Sequence, residues 1–138
     1  MKIGEIAQQT GLTAKTIRYY ESLGLVHSLR LENGYRDYGP FQQRQLQLLA
    51  HARQVGFSLE ECRNLLALLQ DDQRHSKDVK ASVLEKIASL DAQMEQLQQM
   101  RAILQSLAQR CAGDEDSECA ILQTLSRPSQ SMPFTLLE

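Results

Sequence analysis

The sequence contains no tryptophan, and aromatic residues make up only 5% of its 138 positions. No apolar run approaches the length that spans a bilayer, and no signal-peptide pattern precedes Ile3. A membrane protein or a secreted one is therefore not expected, and the expected location is the cytoplasm. With only three cysteines in that compartment, a disulfide framework is excluded in favour of reduced ligands or inert thiols. No Ser/His/Asp set, catalytic carboxylate pair or phosphate-cradling loop is assembled, so an enzyme is not expected; an isolated His27 or His51 carries no chemistry alone. Leu, Gln, Ala, Arg and Glu are abundant, which favours helices, and 42% hydrophobic content suffices for a packed core.

The net charge of −2 conceals an asymmetry. Residues 1–58 carry seven Lys and Arg against four Asp and Glu, whereas residues 59–138 carry eight against thirteen. A basic first part on an acidic remainder suits nucleic-acid binding confined to one end.

Ile3 to Gln9 reads as a short helix, Thr10-Gly11-Leu12 as a tight turn, and Thr13 as the N-cap of a second helix from Ala14 to Leu23. Two short helices joined by a glycine turn are a helix-turn-helix signature. Asn33-Gly34 then signals a hairpin with a type I′ turn, positioned as a wing. A third helix is expected from Phe41 to Val55. A capping box, Ser58-Leu59-Glu60-Glu61, opens a fourth helix that runs to about Leu69. Cys62, on its apolar side, reads as a buried small hydrophobe. Ser76 is expected to cap a fifth helix that reaches Arg110. There Val83, Ile87, Leu90, Met94, Leu97, Arg101, Leu104 and Ala108 alternate steps of four and three, a coiled-coil seam with one charged interruption. Such a rod, roughly 48 Å long at 1.5 Å per residue, cannot bury its stripe inside so small a domain. It reads as a dimerisation helix, and the seam alone leaves strand direction open. Ile121, Leu122 and Leu125 suggest a short last helix, and the chain from Pro128 reads as a loosely ordered tail.

Between the last two helices lies Cys111-Ala-Gly-Asp-Glu-Asp-Ser-Glu-Cys119. Thiolates are soft ligands that select Cu(I), zinc or iron–sulfur chemistry. Zinc wants four ligands, and this segment offers two sulfurs and no histidine nearby in sequence. A monovalent ion can be satisfied by two opposed thiolates, so ligand number favours Cu(I), with Ag(I) and Au(I) as mimics. The acidic run Asp114-Glu115-Asp116 lacks the spaced oxygen pattern of a calcium loop.

Several motifs together resemble the MerR family of bacterial transcription regulators. They are Ile3-Gly4-Glu5-Ile6-Ala7, Gly11-Leu12-Thr13, Thr16-Ile17-Arg18-Tyr19-Tyr20-Glu21, Gly24-Leu25, Asn33-Gly34-Tyr35-Arg36-Asp37-Tyr38 and the stretch from Ala52 to Glu61. The paired-cysteine loop resembles the Cu(I)-responsive, copper efflux regulator subgroup. The expected fold is mainly α: a winged helix-turn-helix DNA-binding domain over residues 1–70, a long antiparallel coiled-coil dimerisation helix over 71–110, and a metal-binding loop, short helix and tail over 111–138.

The resemblance implies that the second helix enters the major groove of promoter DNA, offering Lys15, Arg18 and Tyr20. Tyr20 is equally readable as core. Arg30, Asn33, Tyr35 and Arg36 are the wing candidates, and Arg53 is carried over from the third helix. Cys111 and Cys119 are the metal ligands. In zinc and mercury relatives a cysteine near the start of the dimerisation helix reaches the partner subunit's site; here Ser76 stands there, which fits a monovalent ion. His75 beside it reads as a surface or capping residue before a ligand. Two departures are visible: Ala112 replaces an expected proline, and a cysteine- and histidine-rich tail cluster is absent. The implied mechanism is a homodimer that distorts an overlong promoter so that RNA polymerase can engage copper export and detoxification genes. Two other readings stay open: a thiol redox sensor using Cys111 and Cys119, and a copper-buffering protein without operator specificity.

Overall fold

The computed structural model describes residues 1–128, and within them the chain forms six helices and one two-stranded sheet. The expected loose tail, including Met132, lies largely outside the described residues. The chain divides into two compact units, Met1–Lys86 and the remainder from Ile87.

Helix α1 (Ile3–Thr10) ends where the Gly11 N–H bonds back to the Ala7 carbonyl. Helix α2 (Ala14–Ser22) begins at Thr13, whose hydroxyl accepts the Thr16 N–H at 3.0 Å. That bond satisfies one of the donors a helix start leaves unpaired. The two helices pack on each other and α1 packs on α3 (Pro40–Gln54), which starts one residue earlier than the sequence suggests. Pro40 fits the first helical position because that N–H needs no partner. Helix α4 (Leu59–Gln70) carries the expected capping box: Ser58 Oγ accepts the Glu61 N–H at 3.1 Å, and Glu61 Oε1 accepts the Ser58 N–H at 2.8 Å. Ser58→Ala is expected to lower the stability of this unit by about 1 kcal/mol, and Ser58→Gly by only a few tenths, as read by denaturant unfolding.

Strands β1 (Leu29–Arg30) and β2 (Arg36–Asp37) pair antiparallel, with Leu29 opposite Asp37 and Arg30 opposite Arg36. The turn between them differs from the type I′ expectation. Among the described residues no residue other than glycine has positive φ, so Asn33 does not take the conformation that turn needs; Gly34 alone does, at 84°. The Gly34 N–H bonds to the Leu31 carbonyl and the Leu31 N–H to the Tyr35 carbonyl, both at 2.9 Å. The tip is therefore a three-residue loop, a turn through Glu32 and Asn33 closed by a left-handed glycine, the next most favoured hairpin geometry.

The core of the first unit is built from Ile6, Ile17, Val26, Tyr38, Leu46, Leu49 and Cys62, all essentially inaccessible to solvent. It holds the helix-turn-helix, the wing and α4 in one body. Helix α5 (Ser76–Arg110) begins with Ser76 as its first helical residue, so Ser76 does not cap it from outside as expected. In the single chain its seam faces solvent: Val83, Ile87, Leu90, Met94, Leu97 and Leu104 are all exposed, Leu97 at 62%. In the second unit Leu107 and Thr124 are the buried residues among those described, and α6 (Ala120–Leu125) follows the cysteine loop. No helix among the described residues is long and apolar enough to cross a membrane.

Candidate DNA-binding face and metal loop

The start of α1, the exposed side of α2 and the hairpin converge on one groove. Lys2, Gln8, Arg18, Arg30, Tyr35 and Arg36 line it. A second groove on the other side of the same arginines is lined by Arg18, Glu21, Ser22, His27, Arg30 and Arg36. Three guanidiniums on two facing elements have the chemistry that phosphate binding needs, because each supplies fixed positive charge and several N–H donors. Lys15 is exposed on the same helix as Arg18.

The remaining sequence candidates take other places. Tyr20 is core, at 5% exposure, and its neighbour Tyr19 is the exposed tyrosine at 52%. Asn33 builds the turn: its Oδ1 accepts the Tyr35 N–H at 3.1 Å. Arg53 donates from Nη1 to the Phe57 carbonyl at 3.0 Å and lines neither groove. That bond ties the end of α3 to the chain entering α4, a structural job. Lys2 was missed by the sequence reading. It arrives beside the wing because the Tyr38 N–H bonds to the Met1 carbonyl at 2.8 Å, a contact no local pattern encodes.

Arg36 is not a free cation. Its Nε lies 3.2 Å from Glu21 Oε2, and the Tyr38 hydroxyl donates to Glu21 Oε1 at 2.8 Å. Burial, then the Glu21 carboxylate, push the Tyr38 phenol up to about 12, so it stays a proton donor at neutral pH.

The cysteine loop is local. Cys111 directly follows α5, and Cys119 is the N-cap residue of α6. Gly113, with φ of 68°, turns the loop back on itself. The two sulfurs lie 3.8 Å apart, and both thiols are free and half-buried. A disulfide holds its sulfurs about 2.05 Å apart, so this is a pair of neighbouring thiols. One ion with metal–sulfur bonds of ~2.3 Å can bridge sulfurs separated by up to ~4.6 Å, and the observed gap lies inside that reach. The two aspartates of the loop accept from its own backbone: Asp114 Oδ1 accepts the Asp116 N–H at 3.0 Å, and Asp116 Oδ1 the Glu118 N–H at 3.4 Å. Among the described residues no three His, Cys, Asp or Glu side chains are placed to hold a metal ion. The donor set thus fits a soft ion content with two thiolates and does not fit a tetrahedral zinc site made by one chain.

The Leu122 backbone N–H holds the Cys119 thiol below its ordinary value, with help from Cys111 and the Ile121 N–H. Burial pushes the Cys62 thiol up, and Cys62 lies fully buried in the other unit, outside the sensor. A depressed pKa favours the thiolate, so Cys119 is expected to alkylate with a midpoint below that of an ordinary thiol, and Cys62 to resist until unfolding. Site-resolved alkylation rates against pH in metal-free protein would check this; a Cys119 midpoint at or above the ordinary value would contradict it. Ser76 lines a surface groove with Asp72, Arg74, Val79 and Lys80.

Comparison with known proteins agrees with both ends. The model described as "MerR HTH family regulatory protein" matches residues 1–69, and the one described as "MerR, DNA binding" matches residues 43–107. The HTH-type transcriptional regulator CueR of Salmonella typhimurium is 50% identical over 127 residues, covering 91% of this chain and 92% of that protein. HmrR of Rhizobium leguminosarum is 43% identical over 126 residues, covering 91% of this chain and 98% of that protein. Among solved structures, the lead(II) complex of the transcription regulator PbrR691 from Ralstonia metallidurans superposes with a TM-score of 0.82 at 30% identity, covering 91% of this chain and 99% of that one. The mercury(II) complex of MerR from Bacillus megaterium gives 0.73 at 32% identity, covering 92% and 100%. The chain belongs to the MerR family of helix-turn-helix transcription regulators and falls within its CueR-like subgroup.

Proposed function

We propose that this protein is a dimeric, Cu(I)-responsive transcriptional activator of copper export and detoxification genes, working on chromosomal promoters in the cytoplasm with RNA polymerase. The carrying observation is the pair of thiols 3.8 Å apart with no third metal-ligating donor beside them among the described residues. Relatives crystallised with lead(II) and mercury(II) support a soft-metal effector. Ligand number and the subgroup resemblance support a monovalent one, with Ag(I) and Au(I) as mimics.

The division of labour follows the chain. Residues 1–70 read DNA through Lys15, Arg18, Arg30, Tyr35 and Arg36. Residues 71–110 dimerise through the exposed seam of α5 in an antiparallel coiled coil, and residues 111–138 hold the effector. Ser76, at the start of α5, contributes no thiol to the partner's site, which keeps that site two-coordinate. A bound soft cation supplies binding energy that differs between two states of the dimer. The Leu122 N–H favours the Cys119 thiolate and so eases the deprotonation that binding requires. The state favoured by the clamped loop deforms the operator, and the promoter elements realign as a consequence.

Anaerobic competition titration against a Cu(I) chelator tests the reading. Expected are one Cu(I) per Cys111–Cys119 pair, no displacement by excess Zn(II), and loss of binding in the double serine variant. Tight Zn(II) binding would overturn it. The short sulfur–sulfur distance also favours a second reading, a thiol redox sensor. Activation by diamide without copper, and none by copper alone, would select it. A copper buffer without operator specificity would give no sequence-selective DNA complex.

A further inference from the structure

Glu21 is the one acidic side chain in the second groove beside Arg18, Arg30 and Arg36, and Glu5 lines the first. A carboxylate on a surface that meets phosphates opposes binding unless it has a job. Both of its oxygens are used across the gap between helix and wing: Oε2 by Arg36 Nε at 3.2 Å, and Oε1 by the Tyr38 hydroxyl at 2.8 Å. Its side chain is only 12% exposed, against 34% for Arg36. Tyr38 is fully buried, so the carboxylate is anchored to the core and not to another mobile side chain. Arg36 turns its Nε toward this pair while its side chain stays partly exposed, and it lines both grooves.

We infer that Glu21 is a positioning residue: it fixes Arg36 and the wing against α2, so that the exposed part of the Arg36 guanidinium meets a DNA phosphate. The inference rests on the DNA-binding reading above and adds a residue that does not itself touch DNA. A fork held in one orientation loses less freedom on meeting a phosphate than a free side chain does.

The sign of one substitution separates the alternatives. Glu21→Gln keeps the shape and can still accept from Tyr38, but removes the charge that holds Arg36. Glu21 as a mere surface acid predicts tighter DNA binding on its removal. Glu21 as a positioning residue predicts binding weakened on the order of 3- to 30-fold, with the salt dependence shallower by about one phosphate per protomer. The probe is a duplex selected from a random library by the unsubstituted full-length protein, read by fluorescence anisotropy at several salt concentrations. Arg36→Ala should give a similar loss, and the double variant no further loss, since both remove one contact. Tyr38→Phe, which frees one carboxylate oxygen, should give a smaller loss of the same sign. Unchanged or tighter binding by Glu21→Gln, or additive losses with Arg36→Ala, would overturn the inference while leaving DNA binding intact. Failure of the unsubstituted protein to select any duplex would overturn both.

Discussion

Replacing Cys111 or Cys119 by serine is expected to abolish the response to Cu(I) while leaving operator binding by the metal-free protein within about 3-fold of the original. Serine is close to cysteine in size, and both positions are only half-buried, so the loop keeps its shape. The chemistry changes completely. A hydroxyl stays protonated at neutral pH and presents hard oxygen where soft sulfur is needed. A population shift needs differential affinity for two states, and an effector that no longer binds shifts nothing. Allosteric couplings commonly amount to ~5- to 150-fold; the whole of that factor should vanish in either single variant. Cys62→Ser should instead leave the response intact and lower stability, because Cys62 is buried in the core of the other unit. A normal response in Cys119→Ser would mean that another donor completes the site.

Arg18→Ala is expected to produce the largest loss of operator affinity among the surface residues of α2 and the wing. Arg18 lines both grooves and, among the described residues, forms no salt bridge, unlike Arg36. A good arginine contact to a base or phosphate contributes about 1–3 kcal/mol, and a dimer uses it twice. The expected weakening is therefore on the order of 30- to 10,000-fold, and a contact to phosphate would also make the salt dependence shallower by roughly one unit per protomer. Arg53→Ala provides the contrast. Its partner is the Phe57 carbonyl, so it should lower unfolding stability and leave the salt dependence unchanged. Unaltered affinity of Arg18→Ala at moderate salt would remove Arg18 from the interface.

What the sequence made legible was what local chemistry decides. Thr13 and Ser58 cap the helices they were expected to open, because capping depends on a residue and its next three neighbours. The seam of α5 was legible for the same reason: its period is written along one helix, while the direction of a partner helix is not. The two cysteines were legible because a short loop brings them together. The hairpin tip was not. Asn-Gly favours a two-residue turn in isolation, but with Arg30 opposite Arg36 and the Leu31 N–H bonded to the Tyr35 carbonyl, three residues close the loop and only Gly34 has positive φ. Tyr19 and Tyr20 are adjacent, and helical phase relative to a tertiary neighbour decides which is core. Lys2, Arg53 and the Glu21–Arg36 pair depend on contacts between separated segments, which residue type alone does not reveal.

The central claim is a two-thiolate switch that converts a monovalent soft ion into transcription. It is tested most directly by anaerobic in vitro transcription from the export-gene promoter, with Cu(I), Ag(I) and Zn(II) at buffered free concentrations, using the unsubstituted protein and the Cys111→Ser and Cys119→Ser variants. Activation by the two monovalent ions alone, lost in both variants, is the predicted result. Activation by Zn(II), or activation that survives without either cysteine, would contradict it.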